Sequence, residues 1–238
     1  MRPWQALVLT LALSCAGWSA AARASDVAEP ATTLAAPADE APPATRSYRV
    51  DPKQSALWVT VYADRSALAS RFAHDHAIAA TDYTGRVTWP TSDPSLCSVS
   101  FDVPVRSLWP DPPGFRERAG IDPDDSVGDP AKRTIVDNML GKHQLDAAHH
   151  PTITFRSQRC DGVAGQVRIT GDLTIRGVTR SVTVPLQIRA DEGILTARGT
   201  FEVLHSDFGM EPFSNVGGLV RNAQKLTFGL DLKAVPAE

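Results

Sequence analysis

The side chains able to do chemistry in this 238-residue chain are few: six histidines and three cysteines, spread along the sequence. The most suggestive group is His74-Asp75-His76. Alternate residues of an extended strand point to the same side, so both imidazoles could reach one Zn2+ or Cu2+ ion. Two donors do not complete a site. A tetrahedral zinc centre needs about four ligands, which His143, His149, His150 or His205 would have to supply from elsewhere in the fold. The competing reading places the pair at a rim of the structure, hydrogen-bonded to Asp75, to backbone or to the polar head group of a ligand. His149-His150-Pro151 reads as an exposed connection. His205-Ser206-Asp207 has the residue types of a hydrolytic triad, but the chain lacks a nucleophile elbow and a glycine-rich oxyanion loop, and no enzyme is expected.

The compartment decides what the cysteines do. Arg2, the apolar run Ala6 to Leu13 and the small residues Ala22-Arg23-Ala24 have the pattern of a secretory signal peptide, residues 1–24. The run is too short to span a bilayer, which takes roughly 20 residues, and no later segment approaches that length. The mature chain is therefore read as periplasmic and not membrane-spanning. Cys15 lies inside the apolar run and offers a lipid-anchored alternative, although Ala12-Leu13-Ser14 fits an acylation signal poorly. Losing Arg2 and Arg23 leaves 22 basic residues (24 minus 2) against 27 acidic ones, a formal charge of −5, which argues against a nucleic acid partner. Cys97 and Cys160 then remain in an oxidising compartment, where an even count invites a disulfide. Parity opposes an easy bridge. Cys97 shares the inward face of Val99 and Phe101, whereas Cys160 has the opposite parity to Ile153 and Phe155, so the bond requires a bulge. Two separate buried thiols are the alternative.

The elements that must position these residues are strands. Residues 25–46, rich in Ala, Pro and acid, bury too little to order themselves and read as a flexible tether ahead of one domain, 47–238. Within that domain apolar residues recur with period two. Lys225 to Lys233 places Leu226, Phe228, Leu230 and Leu232 on one face. The same alternation runs through Val182 to Ile188, Val167 to Ile175 and Val99 to Val105, with noisier copies at 57–61, 83–89, 153–155 and 195–203, about eight strands in all. Asp161-Gly162, Arg176-Gly177 and Glu192-Gly193 are short hairpin signals. Eight antiparallel strands with tight turns predict a closed barrel with an apolar inside and a wet outside, since closure removes exposed edges. An outer-membrane barrel would show the reverse outer face, and Lys225, Asp231 and Lys233 are polar there. The long segment Trp109 to Pro151 interrupts the pattern and carries a helix, with Asp129 as N-cap, Pro130 at the first position, the stripe Ile135, Val136, Met139 and Leu140, and Gly141 at its end. A connection of that length suggests a lid or mouth.

Several ordered motifs add a resemblance. Tyr48-Arg49-Val50-Asp51 with Ser55, then Pro151-x-Ile153-x-Phe155-x-Ser157, then Gly171-Asp172-Leu173-Thr174-Ile175-Arg176-Gly177-Val178-Thr179, then Asp207-Phe208-Gly209 resemble the signatures of the YceI-like family, from about Tyr48 to Ala234. The chain departs from the commoner pattern at Arg71 to Ile78, which is similar to an H-x-H variant of a less understood branch.

The resemblance implies an all-β, eight-stranded, lipocalin-like barrel with an interior cavity that takes polyisoprenoid chains, including isoprenoid quinones. Its lining is expected from the inward faces: Leu57, Val59, Val87, Phe101, Val103, Phe155, Leu173, Ile175, Val184, Leu186, Phe201, Phe208, Leu226, Phe228 and Leu230. Gly85, Gly171, Ala197 and Gly199 share those faces and either leave room for a ligand or let strands bend. The expected function is a periplasmic carrier of an amphiphilic small molecule, with a bound isoprenoid quinone or polyprenyl lipid as its only cofactor. The alternative is a metal-binding or redox accessory protein centred on His74 and His76. A homodimer is compatible with either.

Overall fold

The computed structural model describes residues 44–90, 93–163 and 165–237, without the Val216 side chain. The signal peptide, Cys15 and most of the tether read from the sequence lie outside the described residues.

Eight strands close into an antiparallel ring: β1 (Thr45–Val50), β4 (Thr84–Pro90), β5 (Ser98–Pro104), β7 (Thr152–Val163), β8 (Gln166–Ile175), β9 (Val178–Asp191), β10 (Ile194–Leu204) and β12 (Val220–Pro236). β12 pairs with β10 on one side and with β1 on the other, which completes the circle. The ladder already begins at Thr45, opposite Pro90, inside the stretch read as tether.

Three staves of this barrel are broken and continue as separate strands. The turn Pro52–Gln54 divides β1 from β2 (Ala56–Ala63), β3 (His76–Ala80) precedes β4, and the turn Val105–Ser107 divides β5 from β6 (Leu108–Pro110). β2, β3 and β6 extend the sheet outward from β12. No ladder joins β6 to β7 among the described residues. The connection 111–151 occupies that end, with α1 (Phe115–Ala119) against β2 and β3 and α2 (Asp129–Leu140) against β6. A two-residue strand, β11 (Ser214–Asn215), pairs with the start of β12.

Two of the three expected hairpin turns form as read. Arg176-Gly177 and Glu192-Gly193 have positive φ at both positions, +51° and +74°, then +46° and +78°, the geometry of a twisted two-residue turn. Asp161-Gly162 does not turn: both residues are in the β7–β8 ladder opposite Arg168 and Val167, and the reversal comes after Val163. Gly162 is needed there for closeness, since a Cβ would strike the Gln166 carbonyl.

The bulge that the cysteines require is present. Ser157 pairs with Gly171 and Arg159 with Thr170, so Gln158 is an extra residue. It restores Cys160 to the inward face opposite Ile169, and Cys97 and Cys160 are disulfide-bonded with Cα atoms 5.9 Å apart. Cys160 is fully buried at the barrel end remote from α2.

Two local expectations are corrected. The outer face of β2 and β3 is not wet: Ala56, Trp58 and Ala79 form a second small core covered by Phe115 and Ala119 of α1. The Trp58 indole lies across Gly229, where a Cβ would collide with its ring, and meets Phe115 edge-on at 6.3 Å. In α2, Gly128 rather than Asp129 is the N-cap, because Asp129 already has helical geometry and Pro130 follows inside the first turn.

Candidate ligand-binding site

The barrel encloses a cavity of about 610 Å³, within the range of small-molecule sites. Its wall contains Leu57, Val59, Val87, Phe101, Val103, Phe155, Leu173, Ile175, Val184, Leu186, Phe201, Leu226, Phe228 and Leu230. The reason is periodicity: each residue occupies an inward position of a strand whose alternate residues face out. Phe201 and Phe228, paired across β10 and β12, stack with centroids 5.0 Å apart.

Phe208 departs from this set. It is fully buried, but in the turn His205–Phe208 that follows β10, and it packs outside the cavity because a 3-10 turn no longer alternates in and out. The inward glycines also act differently from the expectation that they leave space. A Cβ at Gly85 would meet Val50 and the Phe101 ring, at Gly171 the Phe155 ring and Arg156 backbone, and at Gly199 Leu186 and the Pro185 carbonyl. The space a Cβ would take at these glycines is filled by neighbouring side chains and backbone, so they add no room to the cavity.

The end of the cavity below the 111–151 connection is polar. α2 contributes Ala131, Thr134, Ile135, Asn138 and Met139 to the lining. Their spacing of three and four residues marks a single face of the helix. Of the stripe read from the sequence, Ile135 and Met139 reach the cavity, while Val136 and Leu140 are half-buried beside it.

His74 and His76 line the same cavity, with ring centroids 6.3 Å apart. Each ring is held by an aspartate from the long connection. His74 Nδ1 is 2.7 Å from Asp125 Oδ1, and His76 Nδ1 is 2.7 Å from Asp111 Oδ2. A carboxylate can only accept, so each Nδ1 carries the proton and each Nε2 is the remaining site.

Asp111 is the anchor. Its side chain has no solvent exposure, and it accepts from the Ala77 amide at 2.8 Å and lies 3.2 Å from the Arg116 guanidinium. Burial pushes its carboxyl up, but the His76 Nδ1–H, the Ala77 N–H and the charge of Arg116 outweigh that and hold it below its ordinary value. Asp111 has φ +48°, a left-handed conformation unusual for a residue with a side chain. Arg116 is buried too, donating to the Asp122 and Asp75 carbonyls at 2.6 Å each. Asp75, expected as a partner of the histidines, instead accepts from the Ala63 amide and pairs with Arg65.

The remaining histidines do not join the pair in a metal centre. His149 is exposed and bonded to Asp146, and His150 packs on Gly177. His205 lines the cavity with its Nδ1 donating to the Gln224 carbonyl at 3.0 Å, and burial holds its imidazole below the ordinary value. Asp207 accepts from the Leu204 amide at 2.7 Å and forms part of a turn cap. Among the described residues no group of three or more His, Cys, Asp or Glu side chains is placed to hold a metal ion. Asp111, Asp125 and Arg116 were invisible to motif reading, since they lie far along the chain from His74. The signal available was an Asp set between Pro110 and Pro112.

Comparison with known proteins agrees with this architecture. No curated protein matches the chain. Among solved structures, BcnA of Burkholderia cenocepacia matches with a TM-score of 0.57 and 19% identity over 78% of this chain and 99% of its own. The YceI protein of Campylobacter jejuni gives a TM-score of 0.47 and 12% identity over 66% of this chain and 82% of its own. The model of the YceI-like domain matches residues 48–232, the ring of strands and the connection that bears the Asp–His pairs, and the chain belongs to the YceI-like family.

Proposed function

We propose that this protein is a periplasmic carrier or sequestering protein for an amphiphile whose long apolar chain, a polyisoprenoid or the tail of an isoprenoid quinone, lies in the barrel interior. The observation that carries this reading is the composition of the cavity wall: aliphatic and aromatic side chains from β2 and from every strand of the ring except β1, and no Lys, Arg, Asp or Glu among its lining residues. Apolar surface transferred from water to such a wall contributes about 25 cal/mol per Å², so a chain is retained with few polar anchors. The signal-peptide pattern at residues 1–24 supports export. No helix among the described residues is long and apolar enough to cross a membrane.

The reading is of binding rather than catalysis, in keeping with a lining dominated by aliphatic and aromatic side chains. Organic extraction of the protein purified from the periplasm of a bacterial host, followed by mass spectrometry, tests the reading. A prenyl-bearing amphiphile in stoichiometric amount is the expected result. Preparations that never contain one, and a stripped protein that takes up none, would sink it.

A further inference from the structure

We propose that His74 and His76 select an amphiphile whose polar end donates a hydrogen bond, a long-chain alcohol, phenol or hydroquinone, over one that ends in a phosphate, a carboxylate or a bare carbonyl. The inference rests on the carrier reading above and adds the chemistry of the ligand's head. Three observations on the same site carry it.

The first is the tautomer. Asp125 and Asp111 each accept from an Nδ1–H at 2.7 Å, so in the neutral rings both Nε2 atoms present a lone pair. His76 is held most firmly, since its partner Asp111 is fully buried and fixed by Ala77 and Arg116.

The second is the placement of nearby cations. An anionic head would call for a guanidinium or ammonium facing the cavity, and each one in this region is turned to protein or solvent. Arg116 is buried among Asp111, Asp125 and two backbone carbonyls and does not line the cavity, Lys132 donates to the Asp111 carbonyl at 2.8 Å, Arg65 pairs with Asp75, and Arg71 lies over the Phe72 ring. The third is that the cavity lining holds no charged side chain, so the two Nε2 acceptors meet their ligand among neutral groups, Thr134 and Asn138 of α2 included. A carbonyl or phosphate oxygen facing such an acceptor leaves it without a donor, whereas a hydroxyl satisfies it.

The test uses the mature protein, stripped of lipid and treated with a chelator, at pH 8. Geranylgeraniol and its methyl ether share one chain and differ in the donor, and each is titrated by displacement of a fluorescent fatty probe. The alcohol is expected to bind roughly tenfold more tightly than the ether. H74A/H76A brings that ratio towards one. D125N, at a half-exposed position, lowers it by removing the carboxylate that fixes the His74 tautomer, since an amide can either accept from or donate to Nδ1. Both compounds binding equally well to the unmodified protein overturns the selection and leaves the carrier reading intact. A ratio that survives H74A/H76A, or one that appears only after Zn2+ is added, also overturns it. Neither compound binding removes the carrier reading, and this inference with it.

Discussion

At the scale of single residues, the consequential group is Asp111. It orients His76, neutralises the buried Arg116 and receives a backbone amide, all without exposure to water. Asp111→Asn leaves the Arg116 charge buried without its nearer counter-ion, a change that costs about 3–5 kcal/mol in comparable settings. The pH dependence has a definite sign. Because the folded carboxyl is held below its ordinary value of 3.8, its ionised form stabilises the fold above that pH. The contribution is lost as pH falls below 3.8 through the lower folded value. Denaturant melts of the two proteins from pH 7 to pH 2.5 check this: the wild type should lose its advantage over Asp111→Asn below about pH 3.8. A constant difference across the range would show that the carboxylate's charge is not what matters.

At the scale of elements, one extra residue in β7 decides the chemistry at the far end of the barrel. Gln158 resets the alternation so that Cys160, and not its neighbour, faces Cys97. Deleting Gln158 turns Cys160 outward, and Cys97 and Cys160 then remain reduced and react with alkylating reagent in the native protein. For a sequence separation of 63 residues, loss of the cross-link costs about 4 kcal/mol by loop-closure entropy. C97A/C160A, with the bulge intact, should lose a similar amount in a denaturant melt. A deletion variant whose thiols stay protected would refute the bulge's role. The α1 helix works at the same scale, since Phe115 covers a Trp58 face that would otherwise be exposed on the barrel wall.

At the scale of the whole molecule, a barrel lined around a cavity gives up contacts that a core packed with side chains would make, and a bound chain supplies them. Stripped protein should therefore melt at lower temperature than protein reloaded with geranylgeraniol. At one hundred times the Kd the stabilisation is about 2.7 kcal/mol, or roughly 5–10 °C in Tm for a domain of this size. Scanning calorimetry reads the difference directly, and identical transitions for the two samples would contradict a binding cavity.

Much of the fold was legible because period two is a local property. Each strand's inward residues could be named from its own alternation, and all the named wall positions in regular strands do line the cavity, from Leu57 on β2 to Leu230 on β12. The glycine turns at Arg176-Gly177 and Glu192-Gly193 were legible for the same reason, since a positive φ is required within two residues. Local pattern thus encodes the alternation, the count of staves and the need for a bulge before Cys160. Only the tertiary structure decided what lies between distant segments: that Phe208 leaves the wall, that Trp58 acquires an outer cover, and that His74 and His76 take their partners from Asp125 and Asp111 rather than Asp75. Those pairings follow from where the connection 111–151 folds back over a barrel end, and no spacing within either segment encodes that distance.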